Sequence, residues 1–113
     1  MAKTLFSKII DREIPAKIVY EDDLCLAFHD VAPRAPTHIL IVPKKPIAKL
    51  SDTVAEDQAL LGHLLLTASK IAQDEGHGES FRLVVNNGEG AGQTVFHLHI
   101  HILGGRPFSW PPE

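Results

Sequence analysis

The chain has 113 residues, of which 44% are apolar and 22% charged, and a formal charge of −3, a composition that fits one globular domain with a real core. The negative balance excludes the basic face of a nucleic-acid binder, and the longest apolar stretch, 59–66, is interrupted by Gly62 and His63 and too short for a membrane span. The single cysteine, Cys25, sits in Leu24-Cys25-Leu26-Ala27-Phe28 and reads as a small buried hydrophobe, while Met1-Ala2-Lys3-Thr4 lacks the apolar core of a secretion signal, so a cytoplasmic location is expected.

In chain order, Phe6, Ile9 and Ile10 at helical spacing predict a short helix over about Thr4–Asp11, ended by Pro15. Ile18-Val19-Tyr20 and Leu24–Phe28, separated by Glu21-Asp22-Asp23, read as a hairpin. His29–Thr37 carries Pro33 and Pro36 and is a loop; His38–Pro43 is a third strand. The clearest helix runs from about Val54 to Asp74, with Asp52 or Thr53 as N-cap and Gly76 as its stop. Leu60, Leu61, Leu64, Leu65, Ala68, Ile71 and Ala72 form its core stripe, and His63 beside them reads as a surface or packing histidine. Phe81–Val85 is a fourth strand, Asn86–Gln93 a glycine-rich loop, and Thr94–Leu103 a fifth strand closed by Gly104-Gly105. Arg106–Glu113 is a tail with three prolines and the only tryptophan, Trp110. Hairpin-length connections predict an α+β domain, an antiparallel sheet with helices on one face.

The last strand carries the chemistry. Residues at i, i+2 and i+4 of a strand share a face, about 6.5–7 Å apart, so His97, His99 and His101 project together while Phe96, Leu98, Ile100 and Ile102 face a core. Two chemistries can use such a row. Imidazoles at i and i+2 can share a zinc ion, with His38 or His29 as a further ligand. Alternatively, a neutral imidazole is a nucleophile near neutral pH, and its neighbours can bond a phosphate. The adjacent Gly88, Gly90 and Gly92 favour the second, because they let backbone amides approach an anion and a metal site has no need of them.

His97-Leu98-His99-Ile100-His101-Ile102-Leu103 resembles the His-φ-His-φ-His-φ-φ signature (φ apolar) of the histidine triad (HIT) superfamily. Phe6–Ile10, Ile14–Lys17, Phe28-His29-Asp30, Ala35–His38, Val42–Lys45 and Trp110-Pro111-Pro112 resemble its Hint branch, the purine nucleoside phosphoramidases, so the likeness spans essentially residues 1–113. The resemblance implies a five-stranded antiparallel sheet with two helices, continued as a ten-stranded sheet in a homodimer, with the tail 106–113 near the partner. It implies His99 as the nucleophile towards an α-phosphate and His101 as a donor to the phosphate oxygens. The His97 carbonyl would hold the nucleophile's other nitrogen. Asp30 would receive both ribose hydroxyls, which suits a carboxylate's paired acceptors. Leu5, Phe6, Ile9, Ile14, Phe28 and Val31 would hold the base, and Asn86, Gly92, Gln93 and Thr94 the phosphate. Thr94 and Val31 replace the serine and isoleucine of better-known eukaryotic relatives, so leaving-group fit and pocket volume are open. The implied ligands are purine nucleotides (AMP, GMP, phosphoramidates), with no required cofactor or metal beyond adventitious zinc. Two other readings share the motif: a dinucleoside polyphosphate hydrolase or nucleotidyl transferase, and a non-enzymatic nucleotide- or zinc-binding regulator.

Overall fold

Thr4 opens the first helix, α1 (Leu5–Ile10), by accepting the Ser7 amide on its hydroxyl, which satisfies one of the amides a helix start leaves unpaired. The computed structural model describes residues 3–112; Met1, Ala2 and Glu113, the outermost residues of the N-terminal stretch and of the tail, lie outside the described residues. The chain continues through β1 (Ile18–Glu21), β2 (Cys25–His29), β3 (Thr37–Pro43), α2 (Gln58–Asp74), β4 (Arg82–Val84) and β5 (Ile100–Gly104). All neighbours pair antiparallel, in the order β1-β2-β3-β5-β4. The β1–β2 turn is organised by Asp22, which accepts the amides of Leu24 and Cys25 on one carboxylate oxygen and the Tyr20 hydroxyl and His63 ring on the other. His63 therefore ties α2 to the hairpin.

The expected sheet and its two helices are present, but the helices lie on opposite faces rather than on one. Along β2 and β3, Cys25, Ala27, Ile39 and Ile41 pack with Leu64, Ala68, Ile71 and Ala72 of α2. The alternating residues Leu26, Phe28, Leu40 and Val42 pack with Phe6 and Ile9 of α1. Near-continuous apolar runs such as Leu24–Phe28 and Ile39–Val42 are what a strand covered on both faces requires.

Further differences from the expected structure lie in the second helix and the last strand. The 54–74 helix begins only at Gln58, after short 3-10 turns at Leu50–Asp52 and Ala55–Asp57. Neither Asp52 nor Thr53 caps it; instead the Asp57 carboxylate accepts the Val54 amide at 3.0 Å and pairs with Lys45. Leu65, placed on the core stripe from its spacing, is 52% exposed, as the stripe is narrower than the apolar sequence. Finally, β5 starts at Ile100 and not at Thr94. Its partners run out there, since Ile41 pairs with Ile100 and Val84 with His101, and the Leu98 amide donates to Ile47 O instead. Phe96 is consequently not in the core but partly exposed.

At the other end of β5 the backbone passes directly under a side chain. A Cβ on Gly104 would lie 2.6 Å from His77 Cδ2 and 2.7 Å from Cγ, and that ring is held by a 2.8 Å bond to the Thr37 hydroxyl. Gly104→Ala should destabilise the protein by about 1–3 kcal/mol, the range for overpacking a fitted site. Urea unfolding should show the loss, and His77→Ala in the same chain should recover part of it.

Candidate active site

The three histidines leave β5 and its lead-in on the face covered by α1, and that short helix covers only part of it. What remains is a cleft of about 910 Å³. Leu5, Phe6, Ile9, Phe28, Asp30, Val31, Thr94, His99 and His101 line it, as do His29, His38, Leu40 and Val95. Ile14 does not line the cleft; it packs behind the Phe6 cluster. His97, Asn86, Gly92 and Gln93 also lie outside its lining. Gln93 is buried, with its amide nitrogen donating to Ala48 O and Val95 O and its oxygen accepting the Gly88 amide. Asn86 donates to Ala91 O, and Gly92 takes a left-handed φ of +91° that glycine tolerates. These three residues fix the shape of the glycine loop from behind.

Each imidazole has partners that decide where its proton sits. His99 Nδ1 lies 2.8 Å from His97 O. A carbonyl only accepts, so Nδ1 carries the hydrogen, and the Nε2 lone pair is left without a hydrogen bond among the described residues. Phe6 meets this ring edge-on at 5.0 Å between centroids. His97 is almost wholly buried and points Nε2 at Pro43 O, 2.7 Å away, so Nε2 donates; its Nδ1 then accepts from the Ser7 hydroxyl at 3.3 Å. The first histidine of the row thus fastens α1 to the end of β3.

A fourth ring completes the set. His38 pairs across from Leu103, and Leu40 across from His101, so His38 and His101 are diagonal neighbours on one face. The Arg34 amide donates to His38 Nδ1 at 3.0 Å. The proton of neutral His38 must then sit on Nε2, which donates to His101 Nδ1 at 2.9 Å. His101 is left with its hydrogen on Nε2. His99 and His101, with ring centroids 5.0 Å apart, therefore offer opposite functions, a lone pair and an N–H. The sequence singled out His38 only as a metal ligand; its role here follows from strand register. Ser7 was missed altogether.

Asp30 accepts the Ala32 amide on Oδ1, and its Oδ2 lies 3.4 Å from His38 Nε2. Asp30, His38 and His101 form a group with ligand atoms within 4.8 Å of one another, as do Asp22, Cys25 and His63. In the first group the two imidazole nitrogens already bond each other. In the second, burial pushes the Cys25 thiol up to about 12, and a neutral thiol is a poor zinc ligand. His29 lines the cleft but belongs to neither group.

Residues 11–108 match the HIT domain family. This chain is a HIT protein. It is 71% identical over 109 residues to an uncharacterized HIT-like protein of Synechocystis sp., covering 96% of each chain. It superposes on a HIT family hydrolase from Legionella pneumophila with a TM-score of 0.96 at 51% identity, covering 98% of this chain and 100% of that one. A histidine triad nucleotide-binding protein from Candida albicans matches with a TM-score of 0.83 at 30% identity, over 98% of this chain and 85% of that one. Among the described residues of this HIT protein, no helix is long and apolar enough to cross a membrane.

Burial is the main reason that His38, His97, His99 and His101 all have lowered pKa values, and for His101 the neighbouring His99 and His38 add to it, bringing it to about 4. All four rings are neutral at neutral pH. An unfolded histidine titrates at about 6.5, so below that pH the unfolded chain takes up a proton that folded His101 refuses until about pH 4. Stability is full above the unfolded value and falls as pH drops through this window. Denaturant titrations between about pH 7 and pH 4 should show that decline, and His101→Gln should make it shallower.

Proposed function

We propose that this HIT protein hydrolyses the P–N bond of adenosine 5′-phosphoramidates, of the AMP-NH2 or AMP-lysine type, through a nucleotidyl-His99 intermediate in the cytoplasm. One observation carries the reading: His99 Nδ1 is fixed on the His97 carbonyl, which leaves a neutral Nε2 lone pair beside a cleft with one apolar wall and one carboxylate. The Legionella relative is described as a hydrolase and the Candida relative as a nucleotide-binding protein, and both properties suit such a cleft.

In this mechanism His99 Nε2 attacks the α-phosphorus, and the bond from phosphorus to the amine nitrogen breaks as the P–Nε2 bond forms. The amine leaves with a proton drawn from solvent and relayed by the Thr94 hydroxyl. Water then attacks the same phosphorus and gives up a proton to solvent, the P–Nε2 bond breaks, and AMP departs with His99 restored. The His101 Nε2–H donates to a non-bridging oxygen as its charge grows. Asp30 accepts the ribose hydroxyls on the acceptor sites that Ala32 leaves free. Leu5, Phe6, Ile9, Phe28 and Val31 enclose a purine, and Asn86, Gly92 and Gln93 keep the phosphate-side loop in shape. No step needs a metal ion.

His99→Ala should retain AMP binding, lose turnover to background, and form no adduct by mass spectrometry. The wild type should cleave adenosine phosphoramidates with EDTA present, ahead of a diadenosine polyphosphate or ADP-glucose. Cleavage of polyphosphates alone, or loss of activity with EDTA, would replace this reading with the other superfamily chemistry.

The working form is a homodimer. β4 lies at the edge of the sheet, where unpaired backbone groups can extend the ladder into a second copy, and α2 leaves Leu65 and Leu66 at 52% and 76% exposure. Trp110, 84% exposed on the tail, would face the second copy's cleft. Sedimentation should give twice the 12.4 kDa chain mass, and Leu66→Lys should shift it towards the single chain.

A further inference from the structure

The tail reaches back to the loop whose Pro33 and Pro36 line the cleft. Arg106 directs Nε and Nη2 to a single acceptor, Arg34 O, at 3.2 and 3.1 Å. Its guanidinium lies 4.4 Å from the centre of the Phe108 ring, which Arg82 also approaches at 5.2 Å. Arg82 in turn donates to Ser109 O at 2.6 Å. The tail thus holds Arg106 in one orientation through a stacked aromatic ring and a second arginine. At Gly105, with φ +94°, a Cβ would lie 2.8 Å from Pro36 Cβ, so the chain leaves β5 pressed against the loop that contains Arg34.

Arg34 is fixed on both sides. Its carbonyl receives the Arg106 fork, and its amide donates to His38 Nδ1. His38 is buried, so water cannot readily replace that donor. The His38–His101 bond has two arrangements. In one, His38 Nε2–H donates and His101 keeps its hydrogen on Nε2; in the other, His101 Nδ1–H donates and His101 presents a lone pair to the cleft. An amide hydrogen aimed at His38 Nδ1 excludes the second, because that nitrogen would then have to carry its own hydrogen.

We propose that Arg106 is a positioning residue that keeps the His101 N–H facing the cleft by pinning Arg34 against His38. The proposal deepens the hydrolase reading and rests on it for its kinetic consequence, whereas the proton arrangement can be observed without substrate. A lysine at the same position has one donor group and no planar fork, so it would hold Arg34 less firmly.

Long-range 1H–15N spectra of the imidazoles, with amide exchange at Arg34, test this on the wild type, Arg106→Ala and Arg106→Lys. In the wild type both His38 and His101 should be Nε2–H tautomers, with the Arg34 amide protected. Arg106→Ala should mix the tautomers of both rings and speed Arg34 exchange, with Arg106→Lys intermediate. Phosphoramidate turnover should then fall about tenfold in kcat with little change in KM, a fraction of the ~10²–10³ lost when such a donor is removed outright. If Arg106→Ala does not fold, the lysine variant decides alone. Unchanged tautomers in a folded variant overturn the proposal. Shifted tautomers in a protein that cleaves no phosphoramidate uphold the pinning and overturn the hydrolase reading instead.

Discussion

β2 and β3 must be covered on both faces, because Leu26, Phe28, Leu40 and Val42 are as thoroughly buried as Cys25, Ala27, Ile39 and Ile41. The two covers are unequal. With 17 residues against six, and a rise of about 1.5 Å per residue, α2 is roughly three times as long as α1. The core on the α2 side closes completely. On the other side the helix runs out before the sheet does, and the uncovered area is the cleft. His97 lies under the closed part, His99 at its margin against Phe6, and His101 beyond it. Extending α1 would complete the core and fill the cleft, while shortening it would return the imidazoles to water and to ordinary basicity.

The same boundary explains how one residue type can take two chemical parts. A neutral imidazole has one donor and one acceptor, and a bond to either nitrogen settles what the other offers. The His97 carbonyl compels a donor at His99 Nδ1, and the His38 N–H compels an acceptor at His101 Nδ1. The rings therefore present contrary faces although they are two positions apart on one strand. Burial assists, because a charged ring would carry hydrogens on both nitrogens and erase the difference.

Much of this was legible in the sequence. The histidine row at period two, the apolar residues between its members and the turn residues around each strand all follow from local rules. Helix placement was not recovered, although Leu24–Phe28 and Ile39–Val42 held the signal: a strand with one wet face alternates, and these do not. The length of β5 was overestimated because its pattern persists past Ile100 while its hydrogen-bonding partners do not. Leu65 shows the converse, an apolar residue in a helical stripe that stays half-exposed. For Gln93 the sequence marked the loop correctly, but the amide turns inward to backbone carbonyls. His38 needed the β3–β5 register, a long-range property that no local spacing encodes.

The atoms that fix the imidazole tautomers here are main-chain atoms: His97 O, Pro43 O and the amide of Arg34. Side-chain replacement does not remove a peptide carbonyl, and only proline removes an amide hydrogen. The identities at positions 34 and 43 are therefore nearly silent chemically, however much the ring orientations depend on where those peptides lie. An inventory of reactive side chains would count imidazoles and miss the groups that tell them apart. In this protein part of the candidate active site has no letters of its own; it is written in the path of the backbone.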